Sequence, residues 1–367
     1  MSNQISNIIT KIIENINVTP YNGIIIASPS KEPDYQYHWI RDSALVMRVF
    51  IDRYEKTRNN KYLKYIFDYV EIENQIQNLN TIGGLGEPKI NKDGSTFNGE
   101  WGRPQNDGPA LRGIMLIKIY NLLYKLYPTI CKKVIHPMIM KDLEYVLENY
   151  RKPSFDLWEE IYGWHFYTRF VQLKFFLDVI QKYKKCSSIE EVQKAFSHLK
   201  QDIKDHINGD FLISSFNIDG NIVKYDDAAN LLAYCHIEYT DEIIKEFPLQ
   251  LVFKNIENLL ESFRNKYNDK SIYCIGRYKD DKYYNGQCWV ICSLAVAQIL
   301  LKLMRVDNEI YKKYSNVPET ILNKIMSLDN NNVLPEQFNP LTKEGFSANK
   351  LTWNYSELYI LINNLIL

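Results

Sequence analysis

Two adjacent glutamates, Glu159 and Glu160, lie in the stretch SFDLWEEIYGWHF, flanked by Phe155, Leu157, Trp158, Tyr162 and Trp164. A solvated helix face would spread its acids among lysines. Among aromatic rings the charged form of a carboxyl is disfavoured, so an acid held there keeps its proton near neutral pH. Breaking an acetal bond between sugars needs such a group to protonate the departing oxygen, and a second carboxylate to activate water or attack carbon. Glu159 suits the first role. Glu160 does not suit the second, because neighbouring residues at a helix start point in different directions, and the partner must come from another segment.

Spacing leaves that partner open among Glu344, Glu336 and Asp42. Asp42 follows Arg41, whose charge would keep it ionised and fit it to bind hydroxyls rather than to give up a proton. Asp226 and Asp227, in DDAAN, are explained by capping of a helix start rather than by metal binding. The six cysteines, Cys186 among them, show no CxxC pair, and the six histidines show no HxH or HExxH spacing. No metal and no cofactor is expected from those spacings. His165 reads as a satisfied core or rim histidine.

The elements that must hold these groups are helices. Apolar residues recurring at helical spacing mark about twelve helices and few strands. The helices are expected near residues 2–16, 42–55, 60–80, 108–127, 134–150, 160–184, 188–208, 227–237, 248–267, 287–305, 308–328 and 347–366. KYLKYIFDYVEIENQIQNL and LQLVFKNIENLLESFRNKY carry one apolar stripe each, whereas CWVICSLAVAQILLKLM and LTWNYSELYILINNLIL are apolar almost all round. The first kind belongs on an outside and the second in an interior. Outer and inner helices in alternation describe an all-α (α/α)6 barrel, six hairpins closed around a core. An open solenoid of the same hairpins would show repeats alike in sequence, and none is visible.

The segments preceding the inner helices, among them YQYHWIRD, GEWGRPQNDG, FDLWEE, KYDDAAN, GRYKDDKYYNGQCW and KEGFSANKLTW, recur about every 60 residues and in a barrel would meet at one mouth. All six tryptophans, Trp39, Trp101, Trp158, Trp164, Trp289 and Trp353, fall in or beside them. Flat rings gathered at one rim suit the apolar faces of sugars, with Arg41, Arg103, Asp42, Asp107, Asp227 and Arg277 available to hydroxyls. Bracing of the inner helices is the competing use of those rings.

Lysine plus arginine number 44, as do aspartate plus glutamate, which removes the electrostatic footprint of a nucleic-acid binder. No apolar run reaches membrane-spanning length, and the opening MSNQISNIITKIIENINVTP has no secretory pattern. A monomer in the cytoplasm, with no nucleic-acid or membrane partner, is expected.

The runs GIIIASPSKEPDYQYHWIRDSALV, GGLGEPKINKDGSTFNGEWGRPQNDGPALR, FDLWEE, GRYKDDKYYNGQCW and LTWNYSEL, in that order between about residues 21 and 360, resemble the glycoside hydrolase family 15 glucoamylases. The resemblance implies an (α/α)6 barrel and an inverting exo-hydrolase that releases β-D-glucose from the non-reducing ends of α-1,4 glucans or maltooligosaccharides. It implies Glu159 as general acid and Glu344 as general base. Tyr35, Trp39, Arg41, Asp42, Trp101, Trp158, Glu160, Arg277 and Trp289 are then substrate-binding. Residues 1–367 would form a single catalytic domain without a separate starch-binding domain. The chain departs from the family pattern at Tyr162, Trp164, His165, Gly345 and Phe346, whose rings would either reshape outer subsites or serve as packing. Relatives that cleave trehalose or α-1,6 glucans, and a catalytically silent glucan-binding barrel, remain the alternatives.

Overall fold

The helices separate by how much of their surface they hide. Ile189–Lys204 buries only Val192, Ala195, Leu199 and Ile203, one stripe recurring at three and four residues, as a helix with one wet face should. Ala228–His236 is buried at every position. In the computed structural model, which describes residues 2–18, 22–185, 188–237, 242–328 and 333–366, the heavily buried helices form an inner ring. They are Ile40–Thr57, Asp107–Leu123, Phe166–Asp178, Ala228–His236, Val290–Met304 and Thr352–Ile366. Each packs on the next, and the last returns to the first. Outside them, in the same order, lie Asn60–Ile76, His136–Asn149, Ile189–Lys204, Gln250–Tyr267, Val317–Met326 and Ser2–Ile13, each packed on one inner helix. The architecture is an (α/α)6 barrel.

The ring closes between the two ends of the sequence. Asn15, just past the first helix, donates from Nδ2 to the Thr352 hydroxyl and to the Lys350 carbonyl, both at 2.8 Å. Two arginines buried inside the barrel, Arg48 and Arg112, are each paired with carboxylates, as burial requires. Arg48 meets Glu357, which also accepts from Trp353 Nε1 and Gln298 Nε2. Arg112 is held between Glu73 and Asp142. Five cysteines are buried and unpaired, and Cys186 lies outside the described residues.

The expected helices are present, but several begin later than periodicity suggests because short strands lead into them. Tyr37–Trp39 pairs with Lys89–Asn91 and runs directly into the helix at Ile40. Residues 160–165, expected as helix, hold the strand Tyr162–His165, and the helix starts at Phe166. That strand belongs to a four-stranded sheet with Ser154–Phe155, Ser215–Asn217 and Ile222–Lys224. Gly163 permits it, since a Cβ there would stand 1.9 Å from the Phe216 carbonyl oxygen. Cys288–Trp289, Pro335–Phe338 and Gly345–Asn349 form another sheet, so the helices expected from 287 and 347 start at Val290 and Thr352. The stretch expected as one helix over 308–328 is two, Asn308–Tyr314 and Val317–Met326, with Pro318 in the first turn of the second. A proline is tolerated there because the amide it lacks would have no helical partner.

Candidate active site

The strand-and-turn segments enclose a cavity of about 620 Å³ at one end of the barrel. Its walls hold Tyr35, Trp39, Arg41, Asp42, Trp101, Trp158, Glu159, Glu160, Arg277 and Trp289, ten of the eleven site residues expected from sequence. Five of the six tryptophans line it or lie in its wall. The exception is Trp164, whose indole donates to the Arg151 carbonyl instead. Arg41, Asp42, Arg277 and Trp289 are nearly inaccessible while Trp101 is 39 % exposed, so the cavity has a deep interior and an aromatic lip.

Glu159 sits at a turn that the backbone must bend to make. Asp156 accepts from the amides of Glu160 (2.7 Å) and Ile161 (2.9 Å), and Glu159 takes a φ of +67°. A glutamate in the left-handed region costs on the order of 1–3 kcal/mol, and here the bend turns its carboxyl to the cavity. Its Oε1 accepts from Trp39 Nε1 at 2.8 Å and from Gln105 Nε2 at 2.9 Å, with an Arg41 amino group at 3.8 Å. The other oxygen has no hydrogen-bond partner among the described residues. A carboxyl with one oxygen held by two donors is fixed in orientation and leaves its second oxygen to face a ligand.

Glu160 points elsewhere, as expected, although the two glutamates occupy a turn and not a helix. It accepts from Tyr278 (2.6 Å) and Lys224 (3.0 Å) and meets Arg277 at 2.7 Å. Burial opposes its charge, but Arg277 and Lys224 prevail and hold it below the ordinary glutamate range. Arg277 is itself gripped by Asp281 through two bonds of 2.7 and 2.6 Å. Arg41 is fixed by Asp107 at 2.7 Å and by Gln105. Asp42 differs from the expectation of a firmly ionised group. Arg41 stands 4.0 Å away, and burial, aided by Glu159 and Asp107 and only partly offset by Arg41, pushes its carboxyl up to about 7.

The expected base is not in the cavity. Glu344 is solvent-exposed in the turn before the Gly345–Asn349 strand and does not line the walls. Glu336 does line them and is 2 % exposed. The pairing of Pro335–Phe338 with Gly345–Asn349 shifts register between Pro335 and Gln337, and such a bulge re-aims the side chain it carries. Glu336 accepts from the Ser347 hydroxyl. Burial raises it to about 7 against the opposing pull of Ser347 and Arg277. LPEQF sets Glu336 in apolar company as FDLWEE sets Glu159, whereas in TKEGF a lysine adjoins the acid.

Other positions resolve similarly. Asp227 caps the Ala228–His236 helix by accepting from the Ala229 amide, and also takes the Trp158 indole N–H, both at 2.8 Å. Arg103 pairs with Glu87. His165 is a satisfied core histidine, bonded to Ser215 and the Ser154 carbonyl at 2.9 Å each. Tyr162, Trp164, His165, Gly345 and Phe346 do not line the cavity. Lys89 is a wall residue that sequence reading missed. It is 1 % exposed, with its ammonium 3.1 to 4.7 Å from the ring centres of Tyr37, Trp39, Phe97 and Trp101, and burial lowers it to about 8. Among the described residues no group of three or more His, Cys, Asp or Glu is placed to hold a metal ion.

The sequence model for Glycosyl hydrolases family 15 matches residues 5–363. The chain belongs to that family. Among curated members, Glucoamylase-1 of Schizophyllum commune is 34 % identical over 305 residues, which is 76 % of this chain and 51 % of that protein. Glucoamylase-1 of Arthroderma benhamiae is 31 % identical over 331 residues, covering 82 % and 53 %. The probable glucoamylase of Schizosaccharomyces pombe is 30 % identical over 390 residues, covering 92 % and 83 %. This family 15 chain thus spans about half the length of the first two. Of solved structures, Hormoconis resinae glucoamylase superposes with a TM-score of 0.87 at 26 % identity, over 99 % of this chain and 72 % of the other. The Saccharomycopsis fibuligera glucoamylase gives 0.88 at 24 % identity, over 99 % and 94 %, a likeness of fold.

Proposed function

We propose that this chain is an inverting, exo-acting glycoside hydrolase that releases β-D-glucose from the non-reducing ends of α-1,4 glucans or maltooligosaccharides. Glu159 is the acid and Glu336 the base. The observation that carries the reading is that the two glutamates line one deep, tryptophan-rich cavity with Arg41, Asp42 and Arg277. A cavity with a buried interior admits a chain end rather than a chain middle, which is what exo action requires. Glu159, anchored through Oε1, has Oε2 free to carry a proton to the glycosidic oxygen. As that bond breaks, positive charge develops on the sugar, and the Asp42 and Glu336 carboxylates are the nearby groups that favour it. Glu336 takes the proton of the attacking water. Its basicity near 7 suits a general base, which works best when its pKa lies near the operating pH.

Inversion requires the acid and base carboxyls to stand about 6.5–9.5 Å apart, leaving room for water. The deciding experiment is a proton NMR time course with maltotetraose, read before mutarotation. β-Glucose as the first product supports the mechanism, and α-glucose refutes it. A panel including trehalose and isomalto-oligosaccharides tests the linkage, and absence of hydrolysis on every member would favour a silent glucan binder.

We further propose a monomeric, single catalytic domain working in the cytoplasm. Among the described residues no helix is long and apolar enough to cross a membrane. A Saccharomyces cerevisiae relative, 29 % identical over 350 residues, is described as an intracellular sporulation-specific glucoamylase. Sedimentation of the purified protein and fractionation of native cells test the two statements.

A further inference from the structure

The sheet beside the acid turn has two unlike faces. Opposed residues in an antiparallel pair share a face, and side chains alternate along each strand. Ser154, Gly163, His165 and Ser215 therefore share the inward face, where all four are buried and His165 bonds to the Ser215 hydroxyl and to the Ser154 carbonyl. Phe155 lies opposite Tyr162, and Trp164 opposite Phe216, so these four rings share the outward face. A sheet face turned to water is ordinarily polar. Here Tyr162 is 40 % exposed and the other three rings are half-buried.

This face is continuous with the cavity lip. A Cβ built on Gly102 would stand 2.8 Å from Phe155 Cδ1, so that ring rests against the Gly102 backbone. Gly102 and its neighbour Trp101 both line the cavity. Tyr162 follows outward, its ring centre 5.4 Å from that of Phe155. An aromatic path thus runs from Trp101 past Gly102 and Phe155 to Tyr162. Packing accounts for Phe155, against Gly102 and Tyr162, and for Phe216, whose ring lies 4.9 Å from the buried His206, but leaves the exposure of Tyr162 without a use.

We propose that this outward face is a glucan-binding platform, which holds the distal glucose units of a long α-glucan whose non-reducing end occupies the cavity. The proposal rests on the hydrolase reading above, and continuity with the cavity identifies the occupant as the remainder of the same chain. Ring faces stack on the apolar faces of sugars irrespective of position along the chain, which suits a site that must not hold any one unit in register. No bond is made or broken there, and its effect is on capture of long substrates alone.

The test compares Tyr162→Ala and Tyr162→Trp with the parent protein on maltotriose and on a long linear maltodextrin. Loss of one stacked ring should raise KM for the maltodextrin about fivefold. The kcat should be unchanged, maltotriose kinetics unaltered, and affinity restored by tryptophan. An unchanged KM for the maltodextrin overturns the platform, as does an equal loss on both substrates, which would mark a structural role. A change in sedimentation caused by Tyr162→Ala would also overturn it, by showing that a second copy covers the face. Should the parent protein release no glucose from maltotriose, the hydrolase reading fails separately. Retardation of parent and variant in amylose-containing gels then decides the platform, weaker retardation of Tyr162→Ala supporting it and equal retardation refuting it.

Discussion

Replacing Glu336 by Gln removes a charge that the fold disfavours, and the variant should therefore lose turnover while gaining stability. The ordinary value of 4.5 rises to about 7 in the folded protein because the carboxyl is buried. Below pH 4.5 the group is protonated in both folded and unfolded chains. Between 4.5 and 7 the folded chain holds a proton that the unfolded chain has released, so stability falls as pH rises through this interval and is level above it. At about 1.4 kcal/mol per pH unit, the fall attributable to Glu336 is about 3 kcal/mol. Glutamine keeps the shape and lacks the titration. Urea unfolding of both proteins between pH 4.5 and 8 isolates the effect, because Asp42 titrates in both and largely cancels. The stability difference should widen with pH in favour of Glu336→Gln, reaching about 3 kcal/mol near pH 8. Parallel curves would refute the reasoning that burial sets the basicity of this group. The same variant should lose glucose release by about 100-fold or more, the usual cost of removing a general base.

Glu344→Gln, at an exposed turn outside the cavity, should keep near-parental turnover on maltotetraose, and a loss as large as that of Glu336→Gln would restore Glu344 as the base. The acidic limb of kcat/KM should lie above the ordinary glutamate range and near 7, since the proposed base, Glu336, acts ionised and takes up a proton as pH falls through that value. A limb near 4 in the free enzyme would contradict it. Trp39→Phe removes one of the two donors to Glu159 Oε1 and should lower kcat on the order of tenfold with little change in KM, the pattern of a lost transition-state interaction. Glu357→Ala leaves the Arg48 guanidinium buried without its carboxylate and should cost about 3–5 kcal/mol of unfolding free energy, measurable by denaturant titration.

The barrel was legible because inner and outer helices differ in a local property, the width of the apolar face, that each stretch displays by itself. The strands were not legible, because Trp39, His165 and Trp289 take extended backbone to pair with Lys89, Ser215 and Gln337, partners dozens of residues away. Glu159 announced itself by its neighbours. Glu336 carried the same signature in LPEQF, yet its inward aim depends on the register shift opposite Gly345–Asn349, which periodicity does not encode. Lys89 escaped notice because lysine is ordinarily a surface residue, and only the meeting of Tyr37, Trp39, Phe97 and Trp101 around its ammonium makes a buried place for it.

The bonds from Asn15 to Thr352 and Lys350 join residues 337 and 335 positions apart. A ring of hairpins can be assembled one neighbour at a time, each addition closing only a short loop, but its final seam unites the farthest separated parts of the sequence and gains nothing until all six hairpins are in place. During synthesis Glu159 and its turn emerge long before Glu336, and the cavity wall stays open to water until the Thr352–Ile366 helix docks. The complete cavity therefore forms only once the Pro335–Phe338 strand and the Thr352–Ile366 helix are in place, and a nascent or truncated chain holds Glu159 on its turn without Glu336 in the same wall.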